Sequence, residues 1–174
     1  FIECAVFDPI RIALSGRRHE VRTDARQRFE RGVDPALPPL ALDLATRMIQ
    51  DLCGGEASEV VSAGAEPGWR RNATLRFARV RDLGGLDLPA EECVARLERL
   101  GFAVQSRDAE AVTGAVPSWR NDIAAAGALA QDPSLPTDRA RAAAEGAAAI
   151  EPECDLVEEV LRLGGLDAVP AVSL

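Results

Sequence analysis

Val116-Pro117-Ser118-Trp119-Arg120-Asn121-Asp122-Ile123 halts an apolar run with a proline and turns it into a polar corner. Upstream, Ala111 to Val116 and Phe102 to Gln105 read as two strands separated by the largely polar residues 106–110. Before them, Pro89 to Leu100 places Cys93, Val94, Leu97 and Leu100 on one helical stripe, with Gly101 as the stop. Thr74 to Phe77 alternates like another strand. Downstream, residues 124–153 shift to Ala, Gly, Asp and Pro, and only propensity supports a helix over Asp138 to Ala149. Asp155 to Leu163 is then a helix with Val157, Val160 and Leu161 on one face and Gly164-Gly165 at its end. Helices interleaved with a strand pair predict an α+β unit over residues 73–174, with an Ala-rich insertion at about 124–153.

Residues 1–65 predict a second α+β unit. Phe1 to Phe7 is strand-like, and Asp8-Pro9 matches an N-cap with proline at the first helical position, opening a helix to about Arg18. Thr23 caps a short helix through Phe29 that Gly32 ends. Pro38-Pro39 delays the next helix, which runs from Leu40 on the spacing Leu40, Leu44, Met48 and Leu52 to Gly54-Gly55. Glu59 to Ala63 reads as a strand, and residues 66–72 as a turn-rich linker. The apolar sheet edge beginning at Phe1 is expected to be exposed.

The chain has 174 residues and a formal net charge of −8. No apolar run nears the ~18 residues that cross a bilayer, and an acidic chain is a poor non-specific DNA coat. The chain opens at Phe1 on an apolar run with no basic region ahead of it, as expected of a piece of a longer protein rather than a secretory precursor. All 20 basic residues are arginine and tyrosine is absent, a bias expected of GC-rich coding rather than of a functional arginine surface. Cys4, Cys53, Cys93 and Cys154 form no CxxC pair and His19 is the one histidine, so zinc and Cys–His chemistry are poorly supported and reduced thiols in a cytoplasmic protein are expected. Residues 124–174 carry three arginines against nine acids, so most of the acidity sits in the last third.

Three ordered stretches go beyond a generic α+β chain. They are Arg28-Phe29-Glu30-Arg31-Gly32-Val33-Asp34-Pro35, followed by a helix ending Cys53-Gly54-Gly55-Glu56; Leu97-Glu98-Arg99-Leu100-Gly101-Phe102; and Val116 to Ile123 with Asp155-Leu156-Val157-Glu158-Glu159-Val160 after it. Together they resemble the beta subunit of bacterial phenylalanyl-tRNA synthetase over the whole chain except the Ala-rich insertion. The resemblance implies the C-terminal half of a tRNA-editing domain in residues 1–65 and a small winged-helix-like α+β domain in 73–174. It implies a scaffold that contacts the alpha subunit of an alpha2beta2 enzyme and serves tRNA(Phe), with no membrane or DNA partner and with aminoacylation carried by the alpha subunit. Two departures stand out. The metal motif is split by 33 positions between Asp122 and Asp155, and residue 26 is Arg where the family has a small residue.

Asp155, Glu158 and Glu159, at i, i+3 and i+4, share one side of a helix. Three carboxylates in one turn call for a cation or an arginine, and all-oxygen ligands suit Mg²⁺; equally, Asp155 and Glu158 have capping-box spacing. The resemblance implies that these three and Asp122 hold Mg²⁺ shared with the alpha subunit. Glu3 alternates with Ile2 and Cys4 along the first strand; the resemblance places it in the editing pocket, accepting a hydrogen bond from the tyrosine hydroxyl of a mischarged tRNA. His19, among Arg17, Arg18 and Glu20, reads as a surface histidine, and Trp119 as core. From the residues alone, a free-standing winged-helix-like nucleic-acid-binding module is the alternative, disfavoured by the acidic charge; an acid-cluster Mg²⁺ hydrolase lacks a nucleophile.

Overall fold

Asp8 caps the first helix as its sequence requires: its Oδ1 accepts the backbone N–H of Arg11 at 2.8 Å, and α1 runs Pro9–Arg18. Thr23 does the same for α2, Asp24–Arg31, accepting from the Arg26 N–H at 3.1 Å, and Gly32 ends α2 at φ 87°. The computed structural model describes residues 1–65, 67–123 and 152–171. Helix α3, Pro38–Cys53, begins at the proline pair rather than after it. Proline lacks only an N–H that the first turn leaves unbonded, so Pro38 and Pro39 start the helix instead of delaying it.

Neither Phe1–Phe7 nor Glu59–Ala63 forms a strand. A β-like sequence becomes a strand only when a neighbour takes its N–H and C=O groups, and among the described residues none does. Apolar side chains are exposed in the first segment, at Phe1 and Phe7, without a sheet edge, and also on α3, where Leu40, Leu44, Met48 and Leu52 all face outward.

The chain divides into two compact units, Phe1–Trp69 with Ser118–Asn121, and Arg70–Pro117 with Asp122–Leu174. In the first, α1 packs on α2, and the Phe7 and Phe29 rings meet edge to face at 5.1 Å. In the second, β1 (Asn72–Arg76), α4 (Phe77–Asp82), α5 (Ala90–Arg99), β2 (Ala103–Arg107) and β3 (Ala111–Ala115) lead to α6 (Pro152–Gly164) and a 3-10 turn, Leu166–Ala168. The sheet is antiparallel in the order β1-β3-β2, with Leu75 opposite Val112 and a bulge in β2 at Val104/Ser106. The mixture is α+β, as expected.

Alternation builds the core. Ala73 and Leu75 of β1 and Val112 of β3 are buried on one face, while Thr74 and Thr113 bond through their hydroxyls at 2.8 Å on the other. Val80 of α4, Cys93, Val94 and Leu97 of α5, and Leu156, Val157, Val160 and Leu161 of α6 close over it. Each fully buried aliphatic side chain here stabilises by about 1.5–3 kcal/mol. Helix α4 replaces the expected continuation of a strand into Phe77; Phe77 and Val80, three apart, turn both apolar side chains toward the core. Helix α6 starts at Pro152, three residues before the expected Asp155. The helix expected over Asp138–Ala149 lies outside the described residues.

Candidate functional site

The acids of α6 are set by its helical phase. Leu156, Val157, Val160 and Leu161 are pulled into the core, which leaves Glu158 exposed and draws Glu159 in to 7% exposure. Glu159 is neutralised by Arg162 one turn later. Asp155 lies inside the first turn rather than at the N-cap, so its spacing to Glu158 is not a capping box. There, with Glu153, it favours the helix dipole.

The anchor of this helix is Glu153, a residue the sequence pattern did not single out. Its side chain is 11% exposed. Its Oε1 accepts the Arg76 backbone N–H at 2.7 Å and Arg76 Nε at 3.0 Å, its Oε2 accepts Arg76 Nη2 at 2.5 Å, and Arg79 Nε lies 3.6 Å from the same oxygen. Burial raises the carboxyl pKa, but the Arg76 hydrogen bonds and the two guanidinium charges outweigh it, and the net shift is downward. The clamp pins the first turn of α6 to the end of β1 and the start of α4. A pairing across 77 positions leaves no local trace in a sequence, which is why Glu153 was missed.

Asp122 is exposed but tethered: the next residue, Ile123, is fully buried and its carbonyl accepts a hydrogen bond from Arg71 Nε. Arg71 in turn takes the Val116 N–H on its own carbonyl at 2.9 Å. Asp122 and α6 thus belong to one compact unit, held from both sides of residues 124–151.

The donor chemistry of Asp122, Asp155, Glu158 and Glu159 suits Mg²⁺. Their arrangement is not a closed metal site. Among the described residues no group of three or more His, Cys, Asp or Glu side chains is placed to hold a metal ion. Asp122, Asp155 and Glu159 are each engaged within the chain, and Glu158 alone of the four is both exposed and outside such contacts. Among the described residues these four acids therefore do not by themselves make a complete Mg²⁺ site.

Glu3 is exposed while Ile2 and Cys4 are half-buried, so the alternation read along this segment persists without a strand. His19 is exposed, as expected of a surface histidine. Trp119, expected in the core, is 57% exposed. The chain leaves β3 at Ala115, and in the following corner Pro117 and Ser118 are buried while the indole turns out. In the same unit, the space above Gly32 is filled by Asn121, whose Nδ2 lies 3.4 Å from where a Cβ would stand. Gly32, with its positive φ, thus packs the Arg28–Pro35 stretch against Asn121 of the Ser118–Asn121 segment. All four cysteines are free thiols, and burial pushes Cys93 up from the ordinary thiol pKa. No described helix is long and apolar enough to cross a membrane.

Two family models match the chain, the B3/4 domain over residues 1–54 and the tRNA synthetase B5 domain over residues 73–130. The second match ends inside the Ala-rich stretch, before α6. Over all 174 residues the chain is 59% identical to the phenylalanine–tRNA ligase beta subunit of Gluconobacter oxydans and 48% identical to that of Rhodospirillum rubrum. It is 44% identical to that of Paramagnetospirillum magneticum, again over its full length. It spans about a fifth of the length of these relatives, 21% of the first and 18% of the other two. With both domain models in order and identity sustained from Phe1 to Leu174, the chain belongs to the phenylalanine–tRNA ligase beta subunit family.

Proposed function

We propose that the chain works as a non-catalytic segment of a phenylalanine–tRNA ligase, the enzyme that attaches phenylalanine to its tRNA with ATP. It serves as a scaffold between tRNA and an alpha subunit that carries the aminoacylation site. The observation that carries this is the ordered B3/4 and B5 match together with full-length identity to beta subunits. Residues 1–65 form the end of an editing domain, 66–72 a linker, and 73–174 a winged-helix-like domain. The order of one strand, two helices and an antiparallel hairpin, with the first strand paired to the last, supports the winged-helix-like assignment.

Glu3 is the editing residue of this segment. An exposed carboxylate accepts a hydrogen bond from a tyrosine hydroxyl, and phenylalanine leaves that carboxylate without the donor, which separates the two esters. Asp122, Asp155, Glu158 and Glu159 contribute oxygen ligands to Mg²⁺ where the alpha subunit completes the set; Glu158, being open, is the first to engage.

The test uses the beta subunit carrying this segment, assembled with its alpha partner in the cytoplasmic alpha2beta2 form. That assembly should charge tRNA(Phe). Glu3→Ala should leave charging intact and lower the preference for hydrolysing Tyr-tRNA(Phe) over Phe-tRNA(Phe). An unchanged preference removes Glu3 from the pocket, and a wild-type assembly that charges no tRNA removes the enzyme assignment.

A further inference from the structure

Residues 9–31, spanning α1 and α2, hold seven arginines against three acids, a net +4 that leaves −12 on the rest of the chain. Arg26 is occupied: it bonds the Val21 carbonyl at 2.5 Å and Glu30 at 3.1 Å. Arg11, Arg17, Arg18, Arg22, Arg28 and Arg31 are exposed, and among the described residues none of them makes an ion pair. The exposed arginines Arg47 and Arg81 are instead each held by an acid, Asp43 at 2.9 Å and Asp82 at 3.1 Å.

Helix ends explain part of this. Arg17 and Arg18 sit in the last turn of α1, Arg28 and Arg31 in the last turn of α2, where a cation offsets unpaired carbonyls. Two at each end, with Arg11 and Arg22 in addition, exceed that need. Coding bias sets Arg in place of Lys but does not choose positions. Six guanidinium groups with no ion pair among the described residues, on one helix pair in a chain acidic overall elsewhere, form a charge pattern that orients a polyanion.

We propose that the α1–α2 helix pair is a docking surface for the phosphodiester backbone of an RNA, resting on the tRNA-ligase assignment above. Guanidinium forks suit phosphate oxygens in a bidentate way. No tyrosine occurs in the chain and no exposed aromatic lies on α1 or α2, so contact there is to the backbone rather than by base stacking. The surface therefore fixes position without reading sequence.

The test is fluorescence-anisotropy titration of a labelled tRNA(Phe) transcript against the alpha–beta assembly at several salt concentrations. Arg17→Gln, Arg18→Gln and Arg22→Gln together should weaken binding about tenfold or more at 0.1 M salt. They should also flatten the log Kd against log salt slope by about two, since each phosphate contact contributes roughly 0.7–0.9. Among the described residues the three side chains make no ion pair, so melting should match the wild type. The control, Arg47→Gln with Arg81→Gln, should change neither affinity nor slope. An unchanged slope in the triple variant, or an equal loss in the control, overturns the proposal and turns the patch toward an acidic protein. Charging by the wild-type assembly is read separately: if it fails while the salt-dependent loss persists, the enzyme assignment falls and the RNA surface stands.

Discussion

Arg26 and Gly16 belong together. A Cβ on Gly16 would overlap Arg26 Nε and stand 2.5 Å from its Cδ and 2.6 Å from its Cζ. Arg26 cannot swing away without giving up the Val21 carbonyl and Glu30. The long Arg26 side chain is thus accommodated by a glycine ten residues earlier. Gly→Ala inside a helix ordinarily stabilises by about 0.5–1 kcal/mol. Here Gly16→Ala should instead destabilise by about 1–2 kcal/mol, and adding Arg26→Ala should recover most of the loss. Urea denaturation of the two single variants and the double variant measures this; purely additive effects would contradict the pairing. Glu153 is the other residue on which local order depends. Its carboxyl pKa is held below the ordinary 4.5. The clamp therefore contributes fully above that value, and the contribution is lost as pH falls through the lowered folded-state pKa. Glu153→Gln should cost about 2–3 kcal/mol at pH 7, and the gap to the wild type should narrow in the acid range below 4.5. A gap that is constant with pH would count against the charged clamp.

Two helices with equally regular apolar spacing have opposite fates. In α3, Leu40, Leu44, Met48 and Leu52 lie exposed; in α6, Leu156, Val157, Val160 and Leu161 are buried. Periodicity identifies both as helices and names the apolar face of each. It does not say whether a neighbour arrives to cover that face. Leu156→Ala should cost about 2–4 kcal/mol in thermal or urea unfolding, whereas Leu44→Gln or Leu52→Gln should stay within about 0.5 kcal/mol. Equal costs in the two helices would mean that α3 is covered in solution. The remaining element-level differences have the same origin. Phe1–Phe7 and Glu59–Ala63 carry strand-like residues without a partner ladder. Helix α4 is six residues long, too short for a period to stand out, and takes its shape from the core beneath Phe77 and Val80.

For the whole molecule, charge and metal chemistry depend on what is assembled. The chain alone should bind Mg²⁺ only weakly, with Kd no tighter than about 1 mM, because this ion demands near-ideal geometry and usually keeps several waters. Calorimetry on the alpha–beta assembly should show tighter binding that Glu158→Gln weakens. Submicromolar binding by the isolated chain would contradict an incomplete site, and no effect of Glu158→Gln in the assembly would remove Glu158 from it. The amino-acid sequence by itself determined the local structure: the Asp8 and Thr23 caps, the glycine stops, the α5 stripe, the β2–β3 hairpin and the ordered motifs of the family, because each depends on residues a few positions apart. Only the tertiary structure decided which apolar faces are covered, that Trp119 turns outward, that Gly16 makes room for Arg26, and that Glu153 is tied to Arg76. Each of those depends on a partner distant in sequence, or absent, and burial and pairing are properties of both members.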